Sequence, residues 1–149
     1  MDVYKLLKED HQKVKSIFEE LEATTERAVK KRETLFETLK TELTVHAEAE
    51  ETLFYPRVLK PKETHDITLE ALEEHKVVKT LLAELDADPK DTEEWSAKLK
   101  VLKENVEHHV EEEEGEMFKK AKSVLSKEDA EAIGEEIEAF KEEASTFQE

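Results

Sequence analysis

Six residues of metal-binding type stand at repeated positions in this chain: His11, His46 with Glu50, His75, and His109 with Glu113. Asp10-His11 opens the stretch DHQKVKSIFEELE, and Glu74-His75 opens EHKVVKTLLAELD, which matches it in His, Val, Lys, Leu and the acidic ends. HAEAEETLF, beginning at His46, is answered by HVEEEEGEM, beginning at His109, so each half carries a lone His followed by a His-x-x-x-Glu. Neutral imidazole with carboxylate suits first-row metals such as Fe, Mn and Zn, whereas Ca and Mg prefer all-oxygen shells. Two carboxylates able to bridge, with two His in each half, suggest two metals instead of one.

A single His-x-x-x-Glu carries no weight here. Glu supplies 33 of the 149 residues, and chance alone gives any His such a partner about one time in five. Phase is the stronger signal. His11 falls between Leu7 and Val14, His46 between Leu43 and Leu53, His75 between Leu72 and Val78, and His109 between Val106 and Met117, each on the apolar stripe of its helix. Glu50 and Glu113 extend two of those stripes by a turn. Four imidazoles and two carboxylates buried in a Leu-rich core would cost several kcal/mol per unpaired ion, and a cation offsets that cost.

The elements that must position these residues are helices. Apolar residues recur at helical spacing in five segments. Helix one runs from about Asp2 to Ala23, and Thr24 to Arg27 is the connection. Helix two follows to about Leu59, inward through Leu35, Leu39, Leu43, Leu53 and Phe54, with Pro56 marking a kink and Pro61 a stop. Helix three spans about Lys62 to Leu85. A turn containing Pro89 leads to Thr92, the expected N-cap of helix four, which runs through Trp95, Leu99, Leu102, Val106 and Met117. Ser126 opens helix five.

Short connections make antiparallel neighbours, so the expected fold is all-α: an up-down-up-down four-helix bundle over 1–124, with an additional C-terminal helix of the same domain over 125–149. The fifth stripe, Ala130, Ile133, Ile137, Phe140, Ala144 and Phe147, either covers the bundle or pairs with another chain, giving a monomer or a weak homodimer. His46 and His75 both lie ~20 Å from the turn between their helices, which puts them in one layer.

Composition sets limits on function. With 149 residues, two Gly, three Pro, no Cys and 42% charged residues, the chain is one mostly helical domain without disulfides or thiolate sites. A net charge of −17 argues against nucleic acid or an anionic membrane surface as partner. No apolar run approaches the ~20 residues of a membrane span, and the N-terminus lacks the blocks of a signal peptide, so a cytoplasmic protein is expected.

In the order His, His-x-x-x-Glu, His, His-x-x-x-Glu, and in its EETLFYP and EEEGEMF tails, the chain resembles the hemerythrin-like (HHE cation-binding) domains over about residues 2 to 122. The resemblance implies two non-haem Fe ions, oxo- or hydroxo-bridged, with His11 and His46 on one, His75 and His109 on the other, and Glu50 and Glu113 bridging. Oxygen carriers of that family have a second His one turn after the third-helix ligand, where this chain has Lys79, matched by Lys15 in the other half. They also end with His-x-x-x-x-Asp in place of His109-x-x-x-Glu113. These departures imply a more open centre for O2, peroxide or NO, and place redox chemistry or sensing above carriage. The same six ligands would serve peroxide- or NO-directed turnover or sensing without turnover. The competing reading is a structural or Zn-binding helical interaction module acting through the C-terminal helix.

Other residues carry plainer expectations. Tyr55 and Tyr4 are expected as packing residues at the bundle ends, although both are the nearest phenols to the site. His65 is expected exposed, Trp95 a core plug, and His108 with Glu112 the weaker alternative to His109 with Glu113. Of the run Glu111 to Glu116, only Glu113 is expected to turn inward.

Overall fold

The computed structural model describes residues 1–148, with side chains through residue 145, so Phe147 of the expected stripe lies outside the described side chains. Helix α1 (Val3–Glu22) begins where the Asp2 carboxylate accepts the Lys5 amide at 2.9 Å. Helix α2 (Val29–Ala49) runs into a π-helical turn (Glu50–Phe54) and then α3 (Tyr55–Leu59). Helix α4 (Lys62–Ala87) follows Pro61. Helix α5 (Glu93–Glu112) is capped as expected, Thr92 Oγ1 accepting the Trp95 amide at 3.1 Å. It passes through a second π-turn (Glu113–Met117) into α6 (Phe118–Val124). Helix α7 (Lys127–Gln148) starts with a reciprocal cap: Ser126 Oγ accepts the Asp129 amide at 3.0 Å, and Asp129 Oδ2 accepts the Ser126 amide at 3.2 Å.

The two π-turns depart from the expectation of one kink at Pro56. Pro56 has no N–H for the Thr52 carbonyl, so the turn just before it can open without losing that bond. The second turn contains Gly115, where an added Cβ would meet nothing within 4 Å, so this turn does not depend on the glycine.

The four bundle helices alternate in direction, and α7 lies along α1 and α2. Apolar side chains form two clusters instead of one. The first gathers Leu7, Phe54, Val58, Phe118, Ile133 and Ile137 at the end covered by α7, and the second gathers Phe18, Phe36, Leu39, Leu85, Trp95 and Leu102 at the other. The His/Glu layer lies between them. Trp95 is a core residue, 1% exposed, with Nε1 donating to the Leu85 carbonyl at 2.9 Å. No helix among the described residues is long and apolar enough to cross a membrane.

Gly134 sets how closely α7 docks on the N-terminus. A Cβ there would collide with the Met1 carbonyl oxygen and lie 2.9 Å from the Asp2 carbonyl carbon, backbone atoms that lead directly into fully buried Val3. Alanine gains about 1 kcal/mol of helix propensity, whereas overpacking costs about 1–3 kcal/mol. Gly134→Ala is therefore expected to melt a few degrees below wild type, and an unchanged melting temperature would mean that the N-terminus shifts at no cost.

Candidate metal centre

Each of α1, α2, α4 and α5 delivers one histidine to the middle layer, and the carboxylates of Glu50 and Glu113 stand one turn beyond two of them, at the mouths of the π-turns. All four imidazoles point Nε2 inward. His46 Nε2 and His75 Nε2 each lie 3.1 Å from Glu50 Oε1. His11 Nε2 lies 3.2 Å from Glu113 Oε1, and His109 Nε2 lies 3.3 Å from Glu113 Oε2. Donor atoms of His11, His46, Glu50 and Glu113 form one group within 4.8 Å of each other, and those of Glu50, His75 and His109 form a second. The structure thus brings together all six residues singled out from the sequence.

Five buried atoms of this layer, His11 Nε2, His46 Nε2, both oxygens of Glu50 and Glu113 Oε1, have no hydrogen-bond partner. The short contacts between them are misaligned for hydrogen bonding. Leaving a buried polar atom unsatisfied costs about 1–3 kcal/mol, more for a charged one. Lone pairs that converge without bonding one another suit a cation, so the donor set fits a metal.

The outward-facing nitrogen of every ring meets a carboxylate. His46 Nδ1 lies 2.8 Å from Asp10 Oδ2, His75 Nδ1 2.8 Å from Glu51, His109 Nδ1 2.6 Å from Glu74, and His11 Nδ1 2.6 Å from Glu114. Such partners place the proton on Nδ1 and leave the Nε2 lone pair for a ligand. The four follow the internal repeat: the acid before the lone His serves its own half, and the acid after the inward Glu serves the other. Glu114 corrects the expectation that Glu113 alone of its run turns inward. The signal that locates them is the repeated acid-His and His-x-x-x-Glu-Glu.

Charge in the layer is tightly coupled. Burial would lower the His46 imidazolium, but Glu50 and the bond to Asp10 outweigh it and push it up to about 10. Burial is likewise overcome at His75 by Glu50, and at His109 by Glu113 and Glu74, so both are raised. Burial opposes ionisation of Glu113, yet the imidazoles of His109 and His11 hold it well below the usual range. Without a cation, protons on His46, His75 and His109 balance the carboxylates. Metal binding near pH 7 is therefore expected to release protons, seen as a binding enthalpy that changes with the ionisation enthalpy of the buffer. Apparent affinity should fall as pH falls; a buffer-independent enthalpy would contradict the coupling.

Tyr55 belongs to the site, against the expectation of simple packing. Its hydroxyl donates to Glu113 Oε2 at 2.5 Å and lies 3.3 Å from His75 Nε2 and 3.4 Å from His109 Nε2. Burial, then the charges of Glu113 and Glu50, push the phenol well above its ordinary value, so it keeps its proton. Tyr4 remains a packing residue, edge-on to Phe54 and Phe118, and its buried hydroxyl makes no hydrogen bond.

His108 faces outward, its side chain 64% exposed, 3.5 Å from Glu112 and 3.6 Å from Glu74. His65 is exposed and donates Nδ1–H to the Leu59 carbonyl at 2.7 Å. Lys79 and Lys15 are both exposed. A cavity of about 130 Å³ reaches all four histidines between α2 and α4, walled by Leu43, Ala47, Val78 and Leu82, with Lys79 at its edge. This is below the ~300–1,000 Å³ of pockets for drug-sized ligands, and it suits a molecule of a few atoms.

The family model described as hemerythrin HHE cation binding domain matches residues 2–121. A DNA nickase of Nostoc sp. (strain PCC 7120 / SAG 25.82 / UTEX 2576) is 32% identical over 141 residues, covering 95% of this chain and 39% of that protein. The chain thus spans about two-fifths of that relative. A hemerythrin HHE cation binding domain-containing protein from Mycobacterium kansasii has a crystal structure that superposes with a TM-score of 0.85 at 24% identity, over 98% of this chain and 89% of that one. That likeness concerns the fold.

Proposed function

Because the chain belongs to the hemerythrin HHE cation-binding domain family, we propose that it is a non-haem di-iron protein that meets O2, peroxide or NO in a redox or sensing role. The observation that supports this reading is the convergence of buried, unbonded imidazole and carboxylate atoms in one layer. In this reading His11 and His46 hold one iron, His75 and His109 the other, and Glu50 and Glu113 lie between them. Tyr55 is a further oxygen donor, beside the His75/His109 half only.

Bound iron would supply redox chemistry and a Lewis-acid seat for a small ligand. The protein's own part is to orient and to shield. Asp10, Glu51, Glu74 and Glu114 hold the rings, the apolar clusters on either side keep out bulk water, and the Leu43/Ala47/Val78 cavity admits a small molecule. Without metal, Tyr55 holds its proton at Glu113 Oε2.

Elemental analysis of protein purified aerobically, without added metal or a His-bearing tag, tests the reading. About two Fe per chain is the expected result. Stoichiometric Zn, or a folded chain that takes up nothing from ferrous iron under anaerobic conditions, would favour an interaction module acting through α7. The likeness to a DNA nickase brings forward nucleic acid as a second reading. A net charge of −17 opposes phosphate-backbone binding, so no gel shift of duplex DNA is expected at about 0.1 M salt. A salt-sensitive shift would establish that second reading.

A further inference from the structure

We propose that Lys141, on α7, is a positioning residue for the metal ligand His46, acting through Asp10, so that metal in the His11/His46 half and docking of α7 favour one another. The inference rests on the reading of His46 as a metal ligand. Lys141 Nζ donates to Asp10 Oδ2, and the same oxygen accepts from His46 Nδ1 at 2.8 Å. Asp10 is 9% exposed and His46 7%. In such surroundings both bonds are strong, and either is expensive to leave unmade.

The arrangement is confined to one half of the centre. Glu74, the counterpart of Asp10, holds His109 through Oε1 at 2.6 Å, but its other oxygen faces exposed His108 at 3.6 Å. Glu51 and Glu114 hold their rings from partly exposed positions, with side chains 45% and 29% exposed. Of the four carboxylates that orient the imidazoles, Asp10 alone is bound by a lysine among the described residues.

Helix α7 docks mainly through apolar residues, with Ile133 and Ile137 fully buried against the first cluster, and its ion pairs with Arg57 (through Asp129, 3.3 Å) and with the N-terminal amine (through Glu138, 3.8 Å) are solvent-exposed. Lys141 therefore makes a polar tie from this helix into the metal layer. Asp has a short side chain, and one oxygen shared between an ammonium and an imidazole N–H fixes it. Without the ammonium the carboxylate can turn, and the His46 ring loses its orientation. Because coupling between two sites is reciprocal, a helix that improves metal binding must itself be held more firmly when metal is bound.

Amide exchange tests this with Zn²⁺ alone, a redox-silent probe, on the full chain as wild type, Lys141→Met and Lys141→Arg. Zn²⁺ is expected to slow exchange across 127–145 about tenfold in wild type. In Lys141→Met that slowing should vanish while α2 and α5 amides still respond, and Lys141→Arg should restore it. Equal slowing of α7 in wild type and Lys141→Met would overturn the proposal. So would an indifferent α7 in wild type beside responsive α2 and α5, a result that needs no variant to fold. If Zn²⁺ slowed no amide anywhere, the metal-centre reading would fall and take this one with it.

Discussion

Glu50→Met is expected to raise the melting temperature of the metal-free protein while abolishing its capacity for two metals. Glu50 is 0% exposed, and neither carboxylate oxygen has a hydrogen-bond partner, although Oε1 lies 3.1 Å from Nε2 of both His46 and His75. The carboxylate therefore bears its desolvation penalty with little directional return. Leaving a buried polar group unsatisfied costs about 1–3 kcal/mol, and an apolar side chain of similar volume removes that cost. His46 and His75 need not become stranded charges. Each can release its proton and still donate Nδ1–H to Asp10 or Glu51. A gain of about 2 kcal/mol corresponds to roughly 4–8 °C for a domain of this size.

Glu113 makes the useful contrast. Its Oε2 accepts from the Tyr55 hydroxyl, so Glu113→Met orphans a buried phenol and should show no such gain. With metal present the order reverses, because wild type gains the binding free energy and Glu50→Met does not. Differential scanning calorimetry of apo and metal-loaded samples reads both effects. A metal-free Glu50→Met that melts lower than wild type would show that His46 and His75 satisfy the carboxylate, and the layer would then be a self-sufficient hydrogen-bond network.

The division between what the sequence reveals and what it conceals follows from helical phase. His11, His46, His75, His109, Glu50 and Glu113 are legible because each lies on an apolar stripe where an ionisable residue is out of place. Asp10, Glu51, Glu74 and Glu114 are the neighbours of those residues on the polar flank, and in a chain of net charge −17 an acid on a polar flank draws no attention. Tyr55 is hidden for a different reason. At 100° per residue it stands 140° from Glu50 and faces away from the site. The π-turn over Glu50–Phe54 changes that relation, because an i→i+5 turn takes in an extra residue and brings the position five residues on back toward the face of the first. The apolar stripe of α7 is readable from its spacing, but the reach of Lys141 to Asp10 joins residues distant in sequence and depends on how α7 lies on α1.

The same turn geometry supplies the second large expected effect. Phe118 stands five residues after Glu113 across the other π-turn, just as Tyr55 stands five after Glu50, and it is 2% exposed. At this position the two nearly symmetric halves differ by one hydroxyl. Tyr55→Phe is expected to destabilise the metal-free chain by about 1.5–3 kcal/mol, the contribution of a hydrogen bond to a charged group. It should also remove any visible phenolate-to-iron band from the ferric protein. By the pseudo-symmetry of the repeat, Phe118→Tyr is expected to present a hydroxyl to Glu50, whose oxygens have no partner, and so to stabilise the metal-free chain by about 1 kcal/mol. The double variant carries the phenol to the His11/His46 half, so it should recover much of the stability lost in Tyr55→Phe. Thermal melts of the four proteins give the coupling directly. If Tyr55→Phe cost nothing and left the ferric spectrum unaltered, the 2.5 Å contact with Glu113 would be packing alone, and the asymmetry between the halves would rest on Lys141 instead.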